Sequence, residues 1–381
     1  MGTFYEFFAG GGMARAGLGA EWQCLFANDF DEKKALCYKA NWGCGELVVG
    51  DVAKLKSSAL PGKADLAWAS FPCQDLSLAG DGAGLRGQRS GTFWPFWRLI
   101  DQTARESRAP AMVVLENVCG ALTSHEGADF RAICGALRRS GYRYGALVMD
   151  AIHFLPQSRP RLFIIGLREE WNLADLLALQ GPQAPWHTKA VIRAFEKLPA
   201  RLREGWTWWR LPPAPQRRTT LEDLIEENPH GVRWHTGAET RHLLGMMSDT
   251  NLSKVAVAMR EGTRRVGCIY KRMRNDEDGN RVQRAEVRFD GVSGCLRTPV
   301  GGSSRQILIE IEGNSLNTRL LSPREAARLM GLDDTYTLPQ RYNEAYHLAG
   351  DGVAVPVVRF LAHHLLEPLL GFIEEQRREA A

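Results

Sequence analysis

The 381-residue sequence lacks the features that mark membrane, secreted or zinc-binding proteins. It has no run of about 18 apolar residues, so we expect no membrane span. It begins directly with a strand-like segment and has no basic leader with a cleavage site, so no signal peptide is predicted. The eight cysteines are scattered and form no Cys-x-x-Cys pair, which argues against a disulfide framework or a metal site and favours a cytoplasmic location.

A strong net charge is also absent, but the charge is unevenly distributed. Residues 186–300 contain 21 Lys and Arg against 14 Asp and Glu, a net charge of +7 in a chain of +4, which leaves −3 elsewhere. This segment is either a module that binds a polyanion or an arginine-rich solvated surface, and charge alone does not decide between them. The candidates for guanine or phosphate contacts are Arg260, Arg264, Arg265, Lys271, Arg272, Arg274, Arg281, Arg284 and Arg288.

Apolar runs alternate with helical segments up to about residue 170, which predicts an α/β fold with a doubly wound, mostly parallel sheet of Rossmann type. Beyond that point the alternation stops, and short strands with turns are expected over 255–312. Helical periodicity returns at Ser322, a predicted N-cap with Glu325 three residues later. We therefore expect a catalytic and cofactor-binding domain over 1–180, a smaller, irregular, β-containing domain over 181–312, and a return to the first domain over 313–381.

A glycine-rich turn follows the first predicted strand. Its glycines, Gly10, Gly12 and Gly17, fail the dinucleotide pattern Gly-x-Gly-x-x-Gly, which argues against a nicotinamide oxidoreductase. Asp29, nineteen residues after Gly10, can accept the ribose hydroxyls of an adenosine, Phe30 can pack on the adenine, and Asp51 can accept from its amino group. An adenosine without a pyrophosphate site indicates S-adenosylmethionine, and the alternative is a tight turn with surface acids.

Three further strings place reactive side chains at predicted strand ends. Cys73 follows a proline and precedes a glycine-rich loop, which suits an exposed nucleophile, although a single cysteine is more often a small buried residue. Glu116 ends an apolar strand, where an acid can protonate a ring nitrogen, and Asn117 can orient Glu116 or hold the loop. Arg159 and Arg161 alternate along a strand and are expected on one face, as on any surface strand.

These strings, in this order, resemble the motifs of the cytosine-C5 DNA methyltransferases. The similarity runs nearly end to end except over about 180–295, where that family has a variable target-recognition region. The matching strings are Phe8-Ala9-Gly10-Gly11-Gly12, Pro72-Cys73-Gln74, Glu116-Asn117-Val118, Gln157-x-Arg159-x-Arg161, Arg319-x-Leu321-Ser322-Pro323-Arg324-Glu325 and Gly350-Asp351-Gly352-Val353.

The resemblance implies roles for these residues. Cys73 adds to C6 of a flipped cytosine, Glu116 protonates or hydrogen-bonds N3, Arg161 holds O2, Arg159 supports the site, and the segment 75–92 closes over DNA. The implied S-adenosylmethionine contacts are Phe8, Gly10, Gly12, Met13, Asp29, Phe30, Asp51, Val52, Pro72, Asp351 and Val353. The family usually has asparagine where Asp351 stands.

The expected function is therefore methylation of a specific duplex DNA sequence by a monomeric, nucleoid-associated bacterial enzyme, paired with a restriction endonuclease of the same specificity. An RNA cytosine-C5 methyltransferase is the nearest alternative, against which the long basic region counts. A catalytically silent DNA-binding protein is the other alternative, against which Cys73, Glu116 and Arg161 count.

Overall fold

The computed structural model describes residues 1–72, 90–171, 173, 177–276, 279–298 and 305–379. Cys73 and residues 75–89 of the expected closing loop therefore lie outside the described residues. The chain forms two compact units. The first unit comprises Met1–Asp150, Pro160–Ala214 and Val355–Ala381, and the second comprises Ala151–Arg159 and Pro215–Ala354.

The described strands build one large sheet, one four-stranded sheet and one two-stranded ladder. They are β1 Gly2–Phe7, β2 Trp22–Asp29, β3 Leu47–Val49, β4 Leu66–Ala69, β5 Met112–Asn117, β6 Tyr142–Asp150, β7 Pro160–Arg168, β8 Ala178–Leu179, β9 Trp208–Trp209, β10 Arg265–Asn275, β11 Arg281–Arg288, β12 Ile307–Glu312 and β13 Ser315–Leu320.

The described α-helices flank these sheets. They are α1 Met13–Leu18, α2 Glu32–Trp42, α3 Phe93–Arg105, α4 Ala128–Arg139, α5 Lys189–Glu196, α6 Ala200–Arg203, α7 Gly237–Gly245, α8 Asp249–Arg260, α9 Pro323–Arg328, α10 Tyr342–Asp351, α11 Val355–Leu361 and α12 Glu367–Glu379.

The first unit is an α/β domain around the seven-stranded sheet, whose strand order is β3-β2-β1-β4-β5-β7-β6. Its strands run parallel except for β7, which is antiparallel to β5 and β6. This confirms the predicted α/β fold with a mostly parallel sheet. The strand order reverses between β1 and β4, and ligands bind beyond the carboxyl ends of strands at such a switch point. The glycine turn follows β1, and Pro72-Cys73 follows β4.

Continuous apolar runs explain the interior of this sheet. All six residues of β5 and all four of β4 are buried, as expected for strands covered by helices on both faces. The tryptophans Trp208 and Trp209 are also buried, and Trp206 packs on Phe195 with ring centroids 5.3 Å apart. These aromatic rings therefore belong to the core of the first unit.

The second unit is built on an antiparallel sheet of order β11-β10-β12-β13, with α7 and α8 packed on one face. Residues 255–260 complete α8 rather than forming a strand, so the predicted β segment starts later, at Arg265. α9 begins at the predicted capping box: the Ser322 hydroxyl accepts from the Glu325 N–H, and the Glu325 carboxylate accepts from the Ser322 N–H.

The unit boundaries differ from the domain boundaries expected from sequence. Residues 313–354 belong to the second unit, because β13 pairs with β12 along its whole length and Arg319 forms a buried ion pair with Glu325 of α9. Residues 181–214 belong to the first unit, since Thr207 N–H donates to Tyr144 O of β6. Both differences depend on long-range contacts that local sequence pattern does not reveal.

One helical stretch, Tyr342–Glu379, is long and apolar enough to cross a membrane by length and composition alone. Of the most apolar 18 residues of this stretch, 56% are buried inside the protein. A helix in a protein core can have the same length and composition.

Candidate active site

Glu116 lies at the carboxyl end of β5 and is only 6% exposed. Its Oε1 lies 3.4 Å from Nε of Arg161, which follows the first residue of β7. The antiparallel pairing of β5 with β7 brings the start of β7 beside the end of β5, and this explains why residues 45 positions apart meet. A nearly buried carboxyl next to a guanidinium can exchange a proton or hydrogen bonds with a polar ring placed there.

Asn117 connects the end of β5 to the chain that leads to Cys73. Its Nδ2 donates to the Phe71 carbonyl at 3.1 Å, and its Oδ1 accepts from the Val118 N–H at 2.8 Å. Of the two roles considered from sequence, these contacts favour holding the loop. Phe71 is buried, so the chain is anchored two residues before the expected nucleophile.

Arg159 belongs to the second unit and is 2% exposed. Its guanidinium donates to the carbonyls of Leu296 at 2.9 Å, Gly350 at 2.8 Å and Gly352 at 2.6 Å. Arg159 lies immediately before β7, whereas Arg161 lies within it. These backbone contacts support a positioning role, in which Arg159 joins two segments of the second unit.

The glycine turn after β1 needs glycine for both conformation and space. Gly10 and Gly12 have φ of +56° and +79°, in the left-handed region that disfavours other residues. A Cβ on Gly12 would lie 2.3 Å from Nε1 of Trp42. Phe8 also has a positive φ of +58°, and strained non-glycine residues of this kind cluster at ligand sites. Met13 begins α1 directly after the turn and is buried.

Asp29 at the end of β2 supports this turn. Its Oδ2 accepts from the Gly10 N–H at 2.7 Å, and its Oδ1 accepts from the Asp31 N–H at 2.8 Å. Burial raises the pKa of the Asp29 carboxyl, and these two backbone donors partly offset that effect. Each carboxylate oxygen has a second lone pair for a ligand.

The next residue, Phe30, leaves its ring 76% exposed, although a large aromatic side chain normally gains free energy from burial. Asp51 accepts from the Ala53 N–H at 2.8 Å and caps a short 3₁₀ turn that includes the buried Val52. Thus one face of the first unit carries an exposed aromatic ring after β2 and a carboxylate after β3.

Two further candidates for cofactor contact belong to the second unit. Asp351 at the end of α10 accepts a hydrogen bond from the Thr298 hydroxyl, and Val353 is buried. Gly350 packs closely on the backbone of Arg297 and Thr298, so that a Cβ at position 350 would lie 3.1 Å from the Thr298 nitrogen. The carboxylate at position 351, where asparagine is usual, is thus engaged with a hydroxyl donor.

Sequence reasoning missed Glu6, which is the next-to-last residue of β1 and is 1% exposed. Its Oε1 accepts weakly from the Arg15 N–H of α1 at 3.4 Å, and its Oε2 has no hydrogen-bond partner among the residues that the structure describes. Burial, together with the charges of Asp29 and Glu46, raises the pKa of Glu6 to about 8. The available signal was an acid inside the aromatic string Phe4-Tyr5-Glu6-Phe7-Phe8.

Comparison with known proteins agrees with this architecture. The family model "C-5 cytosine-specific DNA methylase" matches residues 2–367. The chain is 26% identical to the Type II methyltransferase M.BsuFI of Bacillus subtilis, over 97% of this chain and 73% of that protein. It is also 26% identical to the Type II methyltransferase M.HpaII of Haemophilus parainfluenzae, over 96% and 90%.

Solved structures share the fold at lower identity. The Entamoeba histolytica methyltransferase EhMeth superposes with a TM-score of 0.60 at 13% identity, covering 97% of this chain and 99% of that chain. The S. pombe Dnmt2 methyltransferase gives a TM-score of 0.56 at 16% identity, over 97% and 99%. These likenesses show the methyltransferase fold, while the family match covers nearly the whole chain. The chain belongs to the C-5 cytosine-specific DNA methylase family and is a DNA cytosine methyltransferase.

Proposed function

We propose that the protein methylates C5 of a cytosine flipped out of a specific duplex DNA sequence, through a covalent bond between Cys73 and C6. The observation that carries the proposal is the nearly buried Glu116, 3.4 Å from Arg161, with Asn117 anchoring the chain two residues before Cys73. Glu116 supplies an acid, Arg161 supplies a cationic hydrogen-bond donor, and the anchored chain leads to the proposed thiol nucleophile, Cys73. Addition to an electron-poor ring requires these three groups.

The residues around the glycine turn fit S-adenosylmethionine as the methyl donor. The tight approach at Gly12 gives a backbone cradle, the exposed Phe30 ring offers a stacking surface, and the carboxylates of Asp29 and Asp51 offer acceptors. We assign Phe8, Gly10, Met13, Val52 and Pro72 to the same cradle, and Asp351 and Val353 to the cofactor as further contacts. When bound, S-adenosylmethionine supplies the electrophilic methyl group that C5 takes.

The chain's own residues activate the cytosine. The Cys73 thiolate forms a bond to C6, and Glu116 gives a proton or a hydrogen bond to N3, so that the electron pair of the C5–C6 double bond is released toward C5. Arg161 donates to O2 and stabilises the charge on the ring. After methylation a base removes the C5 proton, the double bond re-forms, and the Cys73 sulfur leaves C6.

We further propose that the second unit selects the DNA sequence and that the enzyme protects host DNA from a restriction endonuclease. The nine basic candidates between Arg260 and Arg288, all of which belong to the second unit, support the first part. The similarity to proteins named Type II methyltransferases supports the second.

Bisulfite sequencing of DNA from cells that express the protein tests this function. We expect methylated cytosines at one short sequence, and none with Cys73→Ser, which should still bind DNA. Purified protein should bind S-adenosylmethionine and not NAD in calorimetry. Methyl transfer to an RNA of the same sequence, with none to duplex DNA, would favour the RNA alternative instead.

A further inference from the structure

The hairpin formed by β10 and β11 in the second unit carries an arginine-rich face at its far end. On this face lie Tyr270, Arg272 and Arg274 of β10 and Arg284 and Glu286 of β11, which we call the arginine face. All three arginines are exposed, whereas Tyr270 and Glu286 are half-buried. The face therefore presents three positive charges and one negative charge to solvent.

The register places two of these arginines directly opposite each other. Arg272 pairs with Arg284 across the antiparallel ladder, so their Cα atoms lie roughly 4.5–5.5 Å apart and their side chains share one face. Like charges in this position destabilise a sheet. An anion between the two guanidinium groups would remove that repulsion.

The rest of the arginine face holds these side chains in place. The Arg272 guanidinium carbon lies 4.5 Å from the centroid of the Tyr270 ring, a cation–π contact. The Tyr270 hydroxyl hydrogen-bonds Glu286, whose Oε1 also accepts from Nε of Arg274 at 2.8 Å. The one carboxylate of the face is therefore engaged by Tyr270 and Arg274, and Arg272 is stacked before any ligand arrives.

Three other basic residues of the region lie next to carboxylates. Arg264 pairs with Glu310, and Arg288 pairs with Asp290 at 2.7 Å. Arg265 lies 3.3 Å from Glu261. Among the nine basic candidates from the sequence, Arg272 and Arg284 are distinguished by standing directly opposite each other in the ladder.

We propose that Arg272 and Arg284 clamp one phosphodiester of the DNA backbone, so that the arginine face anchors the duplex without reading its sequence. The inference rests on the proposed function, because it takes duplex DNA as the substrate. A phosphate fits better than a base edge, since two arginines directly opposite each other on one face suit a shared anion, whereas reading a guanine uses one arginine per base.

The test is the salt dependence of duplex binding, measured by fluorescence anisotropy between 50 and about 300 mM salt. Two labelled duplexes are compared, one with the sequence that the protein methylates and one scrambled. The variant Arg272→Ala/Arg284→Ala should weaken binding to both duplexes by the same factor, on the order of tenfold, and should lower the log–log salt slope by about 1. Binding of S-adenosylmethionine should not change.

Two matched variants sharpen the result. Arg105→Ala/Arg233→Ala removes the same charge from exposed positions that are paired with carboxylates outside the arginine face, and it should leave the salt slope unchanged. Arg272→Lys/Arg284→Lys keeps the charge and should retain the slope, which gives a second readout if the alanine variant folds poorly.

An unchanged slope in the alanine variant, or loss of discrimination between the duplexes without a change in slope, would overturn the clamp while leaving methylation intact. A lower salt slope in the Arg272→Lys/Arg284→Lys variant would also overturn the clamp. Failure of the unsubstituted protein to bind or methylate any duplex would instead overturn the proposed function, and the clamp with it.

Discussion

At the scale of single residues, the proposed chemistry depends most on the carboxyl of Glu116. It is held at the end of a wholly buried strand, and its ion-pair partner Arg161 is 16% exposed at the side chain. Burial disfavours the charged form of a carboxyl, whereas a neighbouring guanidinium favours it. The position therefore suits a group that must share a proton with a substrate ring.

We predict that Glu116→Gln lowers the single-turnover rate of methyl transfer by about 10²–10⁴, because the amide cannot deliver a proton to N3. Binding of duplex DNA should persist. Glu375→Gln, on an exposed position of α12, serves as the control and should leave the rate unchanged. An unaltered rate in Glu116→Gln would contradict the acid role.

Glu6 has a consequence for stability rather than for chemistry. A glutamate in the unfolded chain has a pKa near 4.5, whereas burial raises the pKa of Glu6 to about 8. Between these two values the folded state holds a proton that the unfolded state has lost, so the free energy of unfolding falls as pH rises. Below a pH of about 4.5 the carboxyl is protonated in both states, so Glu6 adds no pH dependence to the free energy of unfolding there.

We predict that Glu6→Gln removes this pH dependence, because the amide stays neutral at every pH. Relative to the unsubstituted protein, the variant should gain stability between pH 5 and pH 9, by up to about 5 kcal/mol as an upper limit. Thermal unfolding at the two pH values measures the gain, with the exposed Glu21→Gln as control. If Glu6→Gln and the unsubstituted protein lose the same free energy of unfolding between pH 5 and pH 9, the Glu6 carboxyl is ionised over that whole range, which contradicts the prediction.

At the scale of elements, the turn between β1 and α1 depends on glycine at position 12. A side chain there meets two obstacles, the φ of +79° and the Trp42 ring nitrogen at 2.3 Å. Trp42 is itself held, because its Nε1 donates to the Gly11 carbonyl at 3.0 Å. Neither obstacle can relax without moving the turn.

We therefore predict that Gly12→Ala weakens S-adenosylmethionine binding by at least about tenfold and lowers the melting temperature, since strain of this kind costs about 1–3 kcal/mol. Isothermal titration calorimetry and thermal unfolding measure the two effects. Gly45→Ala is the matched control, since a Cβ there meets nothing within 4 Å. Equal binding by both variants would show that the cradle is not where the cofactor binds.

Some features of the helices and strands were predictable from the sequence alone, and others were not. Apolar runs predicted β4 and β5, because a strand buried on both faces needs a continuous apolar string. The Ser322 capping box was predictable because its hydrogen bonds are local. The backbone contacts of Arg159, which lies just before β7, were not predictable from the sequence. Its acceptors, Leu296 and Gly350, lie far along the chain.

The candidate site was predictable to a similar degree. The strand-end positions of Asp29 and Glu116 followed from where apolar runs stop, because ligand-binding residues follow such ends in parallel sheets. The ion pair between Glu116 and Arg161 was not predictable from spacing, since it depends on the antiparallel insertion of β7 beside β5. Glu6 was not predicted, because the residues around it are mostly apolar and the burial of its carboxyl depends on the folded structure.

At the scale of the whole molecule, chain order and spatial order differ. The first unit is assembled from three stretches of chain and the second from two. The short stretch Ala151–Arg159 lies between β6 and β7 in sequence but packs in the second unit, where Gln157 donates to the Leu329 carbonyl at 2.6 Å. Thus the motif Gln157-x-Arg159-x-Arg161 contributes its first two polar residues to one unit and its third to the other.

The central claim, a temporary bond between the Cys73 sulfur and C6 of a cytosine, is tested most directly by a duplex with 5-fluorocytosine at the methylated position. Fluorine at C5 cannot leave as a proton, so the adduct cannot break down after methylation. With S-adenosylmethionine present, we predict a denaturation-resistant protein–DNA complex whose cross-linked peptide contains Cys73, and no complex with Cys73→Ser. Absence of the complex on a duplex that is methylated when it carries ordinary cytosine would contradict the account.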